Sequence, residues 1–232
     1  MEFVYGVDCK PMATERTPRR GRPPRLSRDL IVEAALDLVD RSGLQGLTMR
    51  ALAHQLQVDP MAVYRHVRDK DELLGAMCDR LLFGLDPIDL DDGWEPQMRR
   101  LAEQVRERFA ARPALLPALA AAPVTPTSLL IAAETVALLV RAGGSARDAA
   151  AGVNAVFSYV FGYAVVEAAV PPVSDHAALR DAVLAHLGTN EPPPPHLDAA
   201  IDLMSDPGDF HTGLDLVLDG LRARLGREGS AT

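Results

Sequence analysis

Apolar residues along this chain recur three and four positions apart, the spacing of one helical face, rather than alternating as a half-buried strand requires. Ile31, Ala34, Ala35, Leu38 and Val39 share one such face, with Ser27 as its cap, Asp29 in its first turn and Gly43 as its stop. Thr48 can cap a second helix whose buried side is Leu52, Ala53 and Leu56. After the tight link Gln57-Val58, Asp59 and Pro60 supply an N-cap and a proline suited to the first helical position. They predict a short third helix from Pro60 to Val67. Asp69 and Glu72 resemble a capping box opening a fourth helix, apolar along Leu73, Leu74, Met77, Leu81 and Leu82.

The acidic stretch 86–93, broken by Pro87, reads as a joint between two domains. Beyond it the pattern predicts helices over 94–111, 114–121, 127–142, 146–170, 175–187, 196–204 and 209–225, with an extended proline tract at 191–195. No segment reads convincingly as a strand, and no repeat is visible. The expected fold is all-α. It comprises a flexible basic arm over 1–25, an N-terminal three-helix helix-turn-helix domain with its connector helix over 26–86, and a C-terminal helical body over 93–226.

Charge changes this picture in one respect. The net charge of −8 argues against nucleic acid only while it is averaged over the chain. Residues 1–70 carry 12 basic and 9 acidic side chains, whereas the remainder carries 12 and 23. A basic front on an acidic body suits a DNA reader joined to a second function. The two cysteines, Cys9 and Cys78, form neither a disulfide framework nor a zinc motif, which fits a reducing compartment. No signal peptide is expected, since no charged segment is followed by an apolar run. Residues 149–166 are apolar enough to suggest a membrane span. However, their alanines, Gly152 and Gly162, and the following Glu167 favour a buried helix in a soluble, cytoplasmic protein.

The segment 48–67 has the layout of a helix-turn-helix motif. Small Ala53 lets two helices approach, Val58 fills the turn, and Val63 and Val67 anchor the second helix. Met61, Ala62, Arg65 and His66 are left facing outward from a helix short enough to enter a major groove. A generic helical hairpin satisfies the same spacing. Catalytic signatures are missing: there is no phosphate loop, nucleophile elbow or His-Glu-x-x-His motif, and the remaining histidines are scattered. The expectation is therefore a protein that is not an enzyme, with no cofactor and no metal. The rival class is a helical enzyme or partner-binding protein with an accessory DNA-binding domain.

Three stretches widen the match: Gly43-Leu-Gln-Gly-Leu-Thr-Met-Arg-Ala-Leu-Ala, Val58-Asp-Pro-Met-Ala-Val-Tyr-Arg-His-Val, and Lys70-Asp-Glu-Leu-Leu. Together they resemble the DNA-binding domain of the tetracycline-repressor family, over about 26–83. A weaker likeness runs through 154–163 and 210–221, which resemble the dimer-forming helices of the tetracycline-repressor subfamily. The resemblance implies a homodimeric repressor on double-stranded palindromic operator DNA, released by a small-molecule effector. It implies phosphate contacts from Thr48, Tyr64, His66 and Lys70, and a base or phosphate contact from Arg50. Base reading would fall to Pro60, Met61 and Ala62, which are apolar and suited to thymine methyls. Core packing for Tyr64 and a surface role for His66 remain open alternatives. In the arm, Arg22 sits in a Gly-Arg-Pro core like that of AT-hooks, suited to a narrow minor groove; a nonspecific basic tail is the other reading.

The subfamily binds a magnesium chelate through a histidine, but here Ala118 stands at that place and only Pro123 of the following turn is retained. The implied ligand-binding wall is therefore apolar. It comprises Phe109, Leu115, Leu116, Leu119, Leu138, Phe157, Phe161 and Tyr163, with Asn154, Ser158 and Tyr159 as polar contacts. Gly152, Ala155 and Gly162 are small enough for close helix approach across a dimer interface, with Phe157, Tyr159 and Phe161 adding area.

Overall fold

The computed structural model describes residues 26–169, 175–187, 194–205 and 210–228. The arm containing Arg22 and most of the proline tract lie outside the described residues. Among the described residues every regular element is a helix.

Helix α1 (Arg28–Gly46) starts where Ser27 Oγ accepts from the Leu30 amide, 3.2 Å away, and is interrupted by Gly43 at φ 66°. That left-handed backbone is the reason a glycine suits the stop. In α2 (Met49–Gln55) Thr48 Oγ1 accepts from the Ala51 amide, and in α3 (Pro60–Tyr64) Asp59 accepts from the Met61 amide. The predicted extension of the third helix to Val67 survives as a final turn, with the Val67 amide on Val63 O at 3.1 Å. Helix α4 (Lys70–Leu82) is capped by Asp69 on the Glu72 amide. Glu72 reaches back to the Arg68 amide at 2.8 Å, one residue earlier than in a regular capping box.

The turn between α2 and α3 is a Schellman motif. The Val58 amide donates to Ala53 O at 3.0 Å and the Gln57 amide to His54 O at 3.1 Å, with Gln57 left-handed at φ 54°. Half-buried Val58 packs on the same core as Ala53, so the turn angle is held by hydrogen bonds and by a hydrophobic plug.

Ile31, Ala35, Val39, Leu52, Val63, Val67, Leu73 and Met77 close the core of these four helices. Cys78 is buried beside it, and desolvation, with Asp79 adding to it, pushes its thiol up to about 11. A second core lies between α5 (Trp94–Ala111), α7 (Pro126–Arg141), α8 (Ala146–Ala169) and α11 (Phe210–Glu228), with α8 touching the other three. Met98, Val105, Phe109, Leu139, Val156, Val160, Leu214 and Leu218 fill it. Helix α8 is the one described helix long and apolar enough to cross a membrane, and here it is a packing element of this core. Helices α9 (His176–Leu187) and α10 (Leu197–Ser205) pair with each other through Arg180–Asp198 at 2.7 Å and His176–Asp202 at 3.5 Å.

The stretch 83–93 is tied down along α5. Gln97 is buried and exchanges hydrogen bonds with the Asp89 backbone, and Gln104 does so with Asp86. Arg108 of α5 donates to Phe83 O at 2.9 Å and Gly84 O at 3.1 Å, satisfying carbonyls at the end of α4. The two cores also share residues. The 3₁₀ turn Pro113–Leu115 and α6 (Leu116–Ala121) push Leu115 and Ala118 into the core of α1–α4, and Arg112 pairs with Asp40 of α1 at 2.8 Å.

Candidate functional site

Buried Val63 and Val67 fix the rotation of α3, so its other residues line a convex outer face. Met61 is 65% exposed and Tyr64 43%, so the Tyr64 side chain reaches solvent. Arg50, Arg65, His66 and Lys70 are exposed, whereas Pro60 and Ala62 are half-buried at the start of the helix. Exposed Thr48 spends a lone pair on its cap, leaving its hydroxyl proton to donate outward. The expected contact residues from Thr48 to Lys70 thus sit on three consecutive helix starts and on one short helix.

Ion pairing sorts the basic residues around this face. Of the six arginines from Arg28 to Arg80, four are engaged within the fold: Arg28 with Glu72, Arg41 with Gln55, Arg68 with Asp69 and Arg80 with Glu33. Asp69 is held below its ordinary range by the Glu72 amide and then by Arg68. Arg50 and Arg65 have no such partner among the described residues. Two exposed guanidiniums beside a protruding helix can meet phosphates or base edges without breaking an internal contact.

The residues expected to line a ligand site are only partly brought together. Phe109 meets Phe161 edge-on at 6.0 Å, and Phe157 stacks on Phe161 at 6.2 Å. Leu138 is buried on α7, and Leu119 is half-buried where the two cores meet. Asn154, Phe157 and Ser158 are exposed on the outer side of α8. Tyr163 packs instead against Phe210 and under the Arg106 guanidinium. Leu115 departs most from expectation, because the 3₁₀ turn delivers it to the core of α1–α4. Gly152 and Tyr159, expected at a dimer interface, are used within the chain. A Cβ at Gly152 would stand 2.5 Å from Leu221 Cδ1, and Tyr159 donates to Phe210 O at 2.8 Å. A cleft of about 250 Å³ opens instead between α9 and α10, edged by the polar His176, Arg180, Asp198 and Asp202.

Sequence reasoning placed Arg65 outward but gave it no contact, and it missed the Arg112–Asp40 and Leu115 bridge between the cores. An arginine four residues beyond exposed Met61 was a readable sign of the first. The second needed the path of the chain.

Residues 31–77 match the family of bacterial regulatory proteins called tetR, and residues 86–225 match the tetracyclin repressor-like C-terminal domain. The transcriptional repressor DrrR1 of Streptomyces coeruleorubidus is 37% identical over 133 residues, which are 56% of this chain and 49% of that protein. The match thus spans about half the length of that relative. A helix-turn-helix transcriptional regulator of Saccharopolyspora erythraea is 31% identical over 211 residues, covering 88% of each chain. The crystal structure of a possible TetR family regulator from Streptomyces coelicolor superposes with a TM-score of 0.70 at 32% identity, covering 85% of this chain and 99% of that one. The S. coelicolor protein ActR, solved in complex with actinorhodin, gives 0.71 at 26% identity, covering 88% of this chain and all of that one. The family is one of transcriptional regulators rather than enzymes. With its outward recognition helix, its free guanidiniums and a match running through both helical parts, the chain belongs to the tetR family of bacterial regulatory proteins, as a ligand-responsive DNA-binding transcriptional repressor.

Proposed function

We propose that this repressor acts in the cytoplasm as a two-fold dimer on a palindromic operator and that a small apolar effector, bound without a metal, releases it. The observation that carries the DNA half of the reading is the exposed outer face of α3, flanked by Thr48, Arg50, Tyr64, His66 and Lys70. Thr48, Tyr64, His66 and Lys70 hold phosphates on either side of the groove. Lys70 does so from the first residue of α4, where the helix dipole also favours an anion. Pro60, Met61 and Ala62 meet thymine methyls. Arg22, in the arm, follows the adjacent minor groove.

Dimerisation through the outer sides of α8 and α11 is supported by apolar side chains that a lone protomer leaves in water. Leu216 is 71% exposed and Phe157 51%, and Val165 and Val166 of α8 are exposed as well. Two recognition helices related by a two-fold axis read half-sites about one or more DNA turns apart. The effector enters beside Phe109, Leu119, Leu138 and Phe161, and Leu115, seated in the core of α1–α4, transmits the change to α1. Helix α4 is the lever. Its end is held by Arg108, and its Gly75 packs against Thr125 and Pro123. Ala118, at the place where the resemblance implies a metal-binding histidine, is a buried methyl with no ligand atom to offer.

The test is fluorescence anisotropy with DNA flanking the protein's own gene. Specific binding is expected, weakened in both Arg50→Ala and Lys70→Ala with a flatter salt dependence. Micromolar tetracycline with magnesium should leave the complex intact. Unchanged binding by the double variant overturns the docking. Release by the drug, lost on chelation, overturns the metal-free effector.

A further inference from the structure

The outer face of α3 presents a problem of readout. Its first three positions, Pro60, Met61 and Ala62, have no side-chain hydrogen-bonding group, yet distinguishing G·C from A·T in a major groove rests mainly on donors and acceptors. The helical path continues past the end of α3. Arg65 keeps helical dihedrals, φ −72° and ψ −20°, and the Val67 amide still bonds to Val63 O. At about 100° per residue, the inward direction set by buried Val63 and Val67 puts Arg65 on the opposite side, in line with Met61 one turn earlier. Arg65 thus stands at the crest of the helix, with Tyr64 and His66 on its flanks.

Its chemistry is uncommitted. Arg68, three residues on, is locked to Asp69 at 2.9 Å, and the neighbouring fold engages Arg28, Arg41 and Arg80 as well. Arg65 is exposed and has no internal partner among the described residues. A guanidinium at the crest of a helix inserted in the groove presents parallel N–H groups to base edges, and guanine O6 and N7 are the acceptor pair that matches them. We propose that Arg65 reads one guanine in each operator half-site and is the main polar specificity determinant of α3. This deepens the proposed repressor function, resting on α3 entering the major groove.

One selection both finds the operator and tests the contact. Wild-type protein and Arg65→Ala select sites from a random duplex library, and anisotropy then measures both on the selected site. In a second duplex, 7-deazaguanine replaces the guanine under test. Wild-type protein is expected to select one invariant guanine per half-site and to lose affinity when its N7 is removed. Arg65→Ala should select any base there and be indifferent to the deaza substitution. Discrimination at that position should fall roughly 5- to 150-fold, with circular dichroism unchanged. Uniform weakening on all sequences, with the salt slope reduced by about one, makes Arg65 a phosphate contact and overturns the proposal. Retained guanine selection by Arg65→Ala overturns it equally. If wild-type protein selects no sequence at all, the repressor reading fails along with it, so the two failures are distinguishable.

Discussion

Replacing Leu115 by alanine removes the largest buried side chain that the body beyond residue 93 contributes to the core of α1–α4. The leucine is 1% exposed, so truncation forfeits its transfer free energy and leaves a cavity. Buried Leu→Ala changes cost about 2.7–5.0 kcal/mol when the surroundings cannot collapse. Leu115 sits on a 3₁₀ turn that can settle inward, which favours the lower end, about 2–4 kcal/mol. For a chain of this size that lowers the melting temperature by roughly 4–16 °C. Position matters more than size here. Leu115, Ala118 and the Arg112–Asp40 pair form a principal bridge by which the first core feels the second, beside the contacts of α4 with α5 and α7. Weakening the bridge should therefore split one cooperative transition into two. The chain carries its own reporter, because Trp94 is the single tryptophan and is packed against the second core. Urea unfolding at fixed protein concentration, followed by Trp94 fluorescence and far-ultraviolet circular dichroism, should coincide in the wild type. In Leu115→Ala the circular dichroism should begin to fall before Trp94 responds. Leu139→Ala, fully buried in the second core, should lower both signals together. Coincident transitions in Leu115→Ala, or a loss under about 1 kcal/mol, would refute the bridging role.

Gly152→Val should destabilise by about 1–3 kcal/mol, since even a Cβ would meet buried Leu221. Adding Leu221→Ala should recover part of that loss, and strict additivity by calorimetry would show that the two helices do not meet there. Asp148, Asp69 and Glu95 are held below their ordinary carboxylate range: Asp148 by the Ser145 hydroxyl and then Arg224, Asp69 by the Glu72 amide and then Arg68, Glu95 by Arg222 and then Arg99. The folded state binds these protons less readily than the unfolded chain. Their stabilisation is therefore complete above the ordinary values of 3.8 and 4.5 and is lost as pH falls through the lowered ones. A carboxyl ¹³C titration should put the Asp148 midpoint below 3.8 and show Ser145→Ala moving it upward. An unmoved midpoint sinks the attribution.

What the sequence determined by itself is what short-range physics controls. Ser27, Thr48, Asp59 and Asp69 cap the helices they were expected to cap, because a cap needs only a side chain and an amide two or three residues on. Gly43, expected to stop α1, interrupts it for an equally local reason, the left-handed backbone it adopts. The outward set on α3 was legible too, since two valines four apart orient a helix whatever lies beneath them. Tertiary structure decided what depends on which distant residues meet. The turn at Gln57 is left-handed without a glycine, held by Ala53, His54 and the plugging of Val58 into the core. Leu115 belongs to α1–α4 rather than to a ligand wall because a 3₁₀ turn after Arg112 carries it there. Gly152 admits a leucine of α11, from 69 positions away, where the family resemblance implied a second protomer. Which arginines stay free for DNA was equally hidden. Arg80 and Arg65 are alike in type and exposure, and only the approach of Glu33, 47 residues earlier, occupies one of them. Periodicity and capping act within a turn or two of helix, whereas burial, ion pairing and close helix approach are properties of surfaces that exist only once the chain has folded.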